Sequence, residues 1–447
     1  MGSWVEQQWE STIESGMRRS AHRSGPYLAY LPDPLLEAPL VLSAENERLA
    51  ASAEQAVRTV VGDAHDLAGI ARFLLRSEAI ASSRIEGIAP SVKQVAMAEL
   101  GSDEPMPDVK EMAQLVANNI TVVERARTEL VHATQIMVVH LTALQAALLS
   151  DEPRKHGIRQ VQNWIGVSGT PIDATFVPPP PDAVPALMED LVQYLATASH
   201  APLIQAALAH AQFETIHPFI DGNGRVGRSL IHTVLTRRGL TPGAVLPVSM
   251  VLSTLSDEYV RGLTAHRQVT AVGSPEFHAG RAEWISVFLR AVEEAAQQAS
   301  SLGSSLANLR EEWDTRFHEW RTSEGRTRAL RSDSAASLIL RDLPSTPVLT
   351  STSVRRIHDV SAQAASTALE ELCSAGILRR SRRQRIVLYQ CDDVLDLVTL
   401  AEHRLASTRF DTRVSAPTKP FPHGPYFLHP SRNDPRAAIV RASGRLL

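Results

Sequence analysis

Residues 217–228 read HPFIDGNGRVGR, and the residue types in that run fit one kind of chemistry. Gly222, Asn223 and Gly224 allow left-handed backbone conformations, so successive N–H groups can converge on one point as an anion nest. A helix starting near Arg225 would add its positive dipole end at the same place. Arg225 and Arg228, three residues apart, share a face of that helix and can both reach an anion larger than one carboxylate, which suits a polyphosphate. Asp221 would be repelled by bare phosphate, but a hard cation such as Mg2+ can bridge a carboxylate to phosphate oxygens. His217 is the nearby group that titrates near neutral pH, and so a candidate base for activating a hydroxyl. Together these groups specify transfer of a phosphorus group. Taken singly, His217 could be a capping or core histidine and Arg228 could simply pair with a carboxylate. Zinc on Asp221 and His217 lacks a second His or Cys at ligand spacing.

The elements that must position this loop follow from periodicity. GNGRVG matches GxGxxG, but a dinucleotide-binding turn needs a strand before the glycines. Instead LIQAALAHAQFETI (203–216) repeats its apolar residues at helical spacing, and so do Val226, Leu230, Ile231, Val234 and Leu235 after the loop, up to Gly239 and Pro242. A helix, an anion loop and a second helix are expected. Upstream, GIRQVQNWIGVSGTPIDATFVPPPP (157–181) reads as a hairpin followed by a polyproline stop.

The loop resembles the signature of the Fic family, HPFx[DE]GNGRxxR, at every defined position from His217 to Arg228, and NWIG (163–166) with FVPPPP (176–181) resembles that family's flap. The resemblance covers residues 1–300 and implies an all-α core with a small β-hairpin flap. It implies a protein adenylyltransferase that moves AMP from ATP to a hydroxyl side chain of a target protein. His217 would be the base, Asp221 would hold Mg2+, Gly222 to Gly224 would bind phosphates, Arg225 and Arg228 would clamp the β and γ groups, and the flap at Thr175, Phe176 and Val177 would hold the target by main-chain pairing. SSRIEG (82–87) matches that family's inhibitory pattern [ST]xxxE[GN] at Ser82, Glu86 and Gly87. A helix ending at Gly87 puts Glu86 in its last turn, an unfavourable end for a negative charge, so Glu86 needs a cationic partner. The resemblance names Arg228, a pair that would remove the γ-phosphate clamp. Alternatively Glu86 would position a water for the reverse, de-adenylylating reaction. Tyr259 and Leu263 could line a base pocket or belong to the core.

Residues 336–390 resemble a winged helix-turn-helix, an α+β unit: a helix over about 334–342, a second after Ser351 or Ser353 as cap, a third over 361–374, and a wing in ILRRSRRQRIVLY with Arg379, Arg380, Arg382, Arg383 and Arg385. The wing could neutralise DNA phosphates, although Gln363, Ser366, Thr367, Glu370 and Glu371 give the third helix modest capacity to read bases. A protein-binding or dimerising module, giving a homodimer, fits equally well. The rival to the enzyme is then a DNA-binding regulator whose core only senses, modifies itself or removes AMP.

Length and composition bound the rest. At 447 residues two to four domains are expected, divided here as an N-terminal helical region (1–110), a core domain (111–300), a helical linker (301–333), the winged unit (334–410) and a loosely ordered tail (411–447). A net charge of -4 gives no global attraction to nucleic acid, so such a partner must meet a local patch. Two cysteines, Cys373 and Cys391, suit a reducing compartment and small core roles. MGSWVEQQWE has no signal-peptide pattern, and His132, Gln135, His140 and Gln145 mark the apolar run 131–150 as a core helix, so a cytoplasmic protein without a membrane span is expected.

Overall fold

The computed structural model describes residues 2–11, 23–36, 40–62, 70–104, 106, 109–166, 169–197 and 200–409, with side chains to 401. The tail expected at 411–447 lies outside the described residues. Strands β1 (Ser3–Trp9) and β2 (Gly25–Leu31) pair antiparallel, with Ser3 opposite Leu31 and Trp9 opposite Gly25. The N-terminal helical region expected at 1–110 thus opens with a strand pair ahead of its helices: SWVEQQW alternates half-buried and exposed positions, a period-two pattern. Helices α1 (Ala44–Gly62), α2 (Ala71–Ile85), α3 (Val92–Gly101), α4 (Glu111–His132), α5 (Val138–Leu148), α6 (Val184–Thr197), α7 (Pro202–Ile216), α8 (Asn223–Arg237), α9 (Val248–Thr254), α10 (Ser256–His266) and α11 (Pro275–Ser323) follow.

The chain is mostly helical, as expected, and α7 and α8 are its centre. Pro202 starts α7 at a position where its missing N–H costs nothing, and every residue from Leu203 to Ile216 is buried. In α8 every residue from Asn223 to Thr236 is buried as well. Helices covered on all sides can hold polar side chains only where these find partners, so the polar groups they carry are positioned tightly. Helix α11 begins at the Ser274 cap, runs unbroken past residue 300, and crosses α1, α7 and α10.

The C-terminal unit comprises α12 (Ala335–Asp342), β3 (Val348–Leu349), α13 (Ser351–His358), α14 (Ala362–Ser374), β4 (Arg379–Arg383), β5 (Ile386–Gln390) and α15 (Asp392–Arg409), with sheet order β3-β5-β4. Ser334 and Ser361 cap α12 and α14. The cap of α13 is Thr350 rather than Ser351 or Ser353; Ser353 is its reciprocal partner, three residues on. This unit shares one apolar core with the rest and is fastened to α2: Arg76, 3% exposed, donates to Glu99 (2.5 Å) and to the Ser345 carbonyl (2.7 Å). No described helix is long and apolar enough to cross a membrane.

Candidate active site

The base sits at the end of α7. His217 caps that helix in the left-handed region (φ 49°, ψ 61°), an uncommon conformation for a residue with a side chain. Its carbonyl is gripped by Arg159 Nε at 2.9 Å, and Arg159, itself buried, also donates to the Pro179 carbonyl at 2.5 Å. One guanidinium thus pins the loop before and after the flap to the helix end. Burial pushes the imidazole down to about 3, with the Arg159 and Arg267 charges adding to the shift. Nδ1 makes no hydrogen bond of standard geometry, although the Glu214 carbonyl lies near enough to favour the protonated ring. A neutral imidazole at pH 7 can accept a proton.

The turn to α8 is closed from within. Gly222 adopts φ +87°, and a Cβ there would lie 2.8 Å from Leu148 Cδ2, so both conformation and space call for glycine. The Asn223 side chain accepts from Phe219 N and donates to Phe219 O, both at 2.8 Å, so it shapes the loop rather than facing a ligand. Asp221 lies between two cations: Lys155 Nζ at 3.4 Å from Oδ2 and Arg225 Nη2 at 3.1 Å from Oδ1. Arg225 therefore faces Asp221, whereas Arg228 faces α2.

Glu86 follows the last residue of α2, and Gly87 turns the chain with φ +75°. The Glu86 carboxylate meets Arg228 Nη2 at 2.6 Å, with the two side chains 8% and 2% exposed. Arg228 also donates to Ser82 Oγ (3.0 Å) and Ser82 O (2.8 Å). A methyl group at Gly224 would overlap Glu86 Oε1, so the carboxylate rests on the first turn of α8, where helix N–H groups and the dipole favour an anion. Ser82 and Glu86 of the expected inhibitory pattern thus meet Arg228 in one cluster over Gly224, and Gly87 supplies the turn beside it.

Among the described residues the two arms of the flap pair through one antiparallel bridge, Ile165 to Phe176, instead of a regular hairpin. A 3-10 turn at Pro171–Asp173 interrupts the returning arm, and Gly166 packs against Thr175. Thr175 N and Phe176 N both donate to the Ile165 carbonyl, and the Val177 carbonyl accepts from Tyr30 N of β2 at 2.9 Å. That carbonyl is therefore engaged by the chain's own N-terminal strand.

Residues 135–235 match the Fic/DOC family model. The chain carries a Fic/DOC domain. A probable protein adenylyltransferase of Aquifex aeolicus is 44% identical over 68 residues, 15% of this chain and 21% of that protein. A protein adenylyltransferase of Caenorhabditis elegans is 31% identical over 126 residues, 25% of this chain and 23% of that protein. The chain thus spans less than a quarter of the length of these curated relatives. A solved Fic family protein from Desulfovibrio desulfuricans G20 aligns with a TM-score of 0.49 at 21% identity, covering 79% of this chain and 98% of that one.

Within and around the Fic/DOC domain the structure adds groups that the sequence reading passed over. Glu214 is buried beside Gly227, and burial pushes it up to about 7, with Arg228 opposing the rise and Glu86 adding to it. Its signal was available: FETIH places a carboxylate one helical turn before the histidine. Lys155 and Arg159 carried no such signal, because their partners lie far away in sequence. Tyr259 is 5% exposed and bonds His210 Nε2 at 2.8 Å, and Leu263 is 7% exposed, so both belong to the core.

Proposed function

We propose that the chain is a protein adenylyltransferase that moves AMP from ATP onto a hydroxyl side chain of a target protein, and that Glu86 restrains it. The observation that carries this reading is a carboxylate seated in an anion cradle, Glu86 on Gly224 and Arg228, close to a buried neutral imidazole. A cradle that takes an internal anion is complementary to the terminal phosphate of a nucleotide, and both cannot occupy it. Both curated relatives are named protein adenylyltransferases, which supports the same activity here.

In the proposed reaction the target hydroxyl gives its proton to His217 as its oxygen attacks the α-phosphorus. The oxygen–phosphorus bond forms, the bond to pyrophosphate breaks, and pyrophosphate leaves with its charge held by the nest and Arg228. Among the described residues no group of three or more metal-binding side chains stands together. Asp221 alone, a hard oxygen donor beside the nest, fits Mg2+, which is ordinarily held by one or two carboxylates plus substrate phosphates. Such an ion would neutralise phosphate charge; Lys155 and Arg225 meet the carboxylate meanwhile.

Intact-mass measurement after incubation with ATP and Mg2+ tests the reading. Glu86→Gly is expected to gain AMP adducts on itself well beyond the wild type, and the additional change His217→Ala to abolish them. No adduct with Glu86→Gly would end the proposal.

A second reading concerns the C-terminal unit as a winged helix that binds DNA, within a cytoplasmic protein whose thiols, Cys373 and Cys391, are free. Arg382, Arg383 and Arg385 are exposed on the wing, which supports it. Arg379 and Arg380 are already drawn to Asp392 (2.5 Å) and Glu370 (3.4 Å). Three exposed cations predict weak binding with a shallow salt slope in a gel-shift titration; salt-insensitive or absent binding points to a protein-binding or dimerising role instead.

A further inference from the structure

Arg267 stands just past α10, where four parts of the molecule converge. Its guanidinium carbon lies 3.7 Å from the centroid of the Phe176 ring on the flap. Its Nε makes a long contact of 3.5 Å with Thr215 Oγ1, on the helix turn that leads into His217. Tyr30 also packs against Phe176, with ring centroids 6.1 Å apart. Tyr30 Oη donates to the carbonyl of Gln268, next to Arg267, at 2.8 Å, and Tyr30 N donates to Val177 O. The flap residue thus touches both an arginine tied to the base-bearing helix and an aromatic ring tied to the N-terminal strand.

The single bridge from Ile165 to Phe176 makes these contacts consequential, because a one-bridge flap has little register of its own. Planar stacking of guanidinium on an aromatic face fixes distance and tilt together, which a lysine ammonium cannot do. We propose that Arg267 is the positioning residue that locks the flap over His217, so that a target segment laid along the flap presents its hydroxyl to the base in one register. The proposal rests on the adenylyltransferase reading above. It adds a residue outside the matched segment and a coupling between flap and base.

The test uses the full chain carrying Glu86→Gly, with and without Arg267→Ala or Arg267→Lys, and the protein itself as acceptor. Hydrogen exchange of the peptide covering 162–177 reports flap order without needing activity. Arg267→Ala is expected to speed exchange at the Ile165, Thr175 and Phe176 amides about tenfold, while exchange in α8 stays unchanged. The limiting rate of self-adenylylation should fall about tenfold, equivalent to roughly 1.4 kcal/mol, with KM for ATP unaltered. Arg159 and Arg267 are the charged groups that bear on His217. Removing one should therefore carry the acid limb of the rate profile to higher pH in the alanine variant but not in the lysine variant. Unchanged flap exchange, or a rate loss accompanied by a higher KM for ATP, overturns the proposal. Should Arg267→Ala fail to fold, Phe176→Leu must loosen the same amides, and an unloosened flap there is equally fatal. Should Glu86→Gly show no transfer at all, the activity reading fails while the exchange data still decide whether Arg267 holds the flap.

Discussion

Replacing Glu86 by glutamine keeps the size and one acceptor oxygen while deleting the charge that faces Arg228. The pair is short (2.6 Å) and nearly sealed from water, so its loss strands a buried guanidinium rather than freeing a solvated one. Breaking such a pair costs about 3–5 kcal/mol. The lower end applies here, since Arg228 keeps both bonds to Ser82. At about 2.1 cal/mol/K per residue over 447 residues, 3 kcal/mol lowers Tm by only roughly 3 °C if the chain melts as one unit. Anion affinity is the sharper probe. In the wild type a triphosphate must first evict a charged Glu86 paired to Arg228, and in the variant only a neutral amide that lacks this pair, so affinity should rise about 100-fold for the same 3 kcal/mol. Calorimetric titration with inorganic triphosphate, which lacks ribose and base, isolates the cradle from the rest of the nucleotide site. Saturating triphosphate should also return the lost thermal stability to Glu86→Gln, because the ligand supplies the missing negative charge. Equal triphosphate affinity in the two proteins, within threefold, would refute the argument that Glu86 fills an anion seat.

Three further outcomes follow from buried groups. Gly224→Ala places a methyl where Glu86 Oε1 sits and 2.8 Å from Arg228 Nη1, so it should remove the carboxylate and the phosphate seat together. Unlike Glu86→Gly it is expected to show no self-adenylylation, alone or in combination with Glu86→Gly, by intact mass. Glu214, pushed up to about 7 from 4.5, keeps its proton in the folded chain while the unfolded chain has lost it, so its contribution to stability falls as pH rises through 4.5–7. Buried His210 and His217, both near 3, slope the opposite way below 6.5, and the comparison with Glu214→Gln isolates the carboxyl. The wild type should lose up to roughly 3 kcal/mol more than that variant across the window in urea titrations at stepped pH. Arg76→Ala leaves the Ser345 carbonyl without its Arg76 donor and Glu99 with Arg72 (3.0 Å) as its remaining partner of the two, with an expected loss of about 2–3 kcal/mol. Limited proteolysis should then cut more readily between α11 and α12.

The central helices were legible because α7 and α8 obey one local rule, apolar recurrence at helical spacing bounded by Pro and Gly. The turn into α8 was legible because Gly222 and Gly224 lie two residues apart in the sequence, ahead of a helical apolar repeat. What escaped depends on partners far away. The β1–β2 pair is specified by contacts across 16 residues or more and by packing on the flap, so a polar strand such as SWVEQQW gives little sign of it. The flap's loss of strand length follows from Pro171, which starts a 3-10 turn where a hairpin arm would need continued pairing. Within the site, Lys155 meets Asp221 across 66 residues and Arg267 meets Phe176 across the whole core, and neither pairing leaves a periodic trace. Glu86 was legible from the other direction: a carboxylate at a helix C-terminus is electrostatically misplaced, and a misplaced charge needs a distant cation. Arg228 answers it from the second turn of α8, a helix whose N-terminal dipole also welcomes an anion. The same two features that would make the turn a phosphate seat, the helix end and the guanidinium, also make it a seat for an internal carboxylate. The proposed restraint would need no structure beyond what phosphate recognition demands, only a second helix that ends in the right place. That helix, α2, is held there by the fastening of Arg76 to the C-terminal unit.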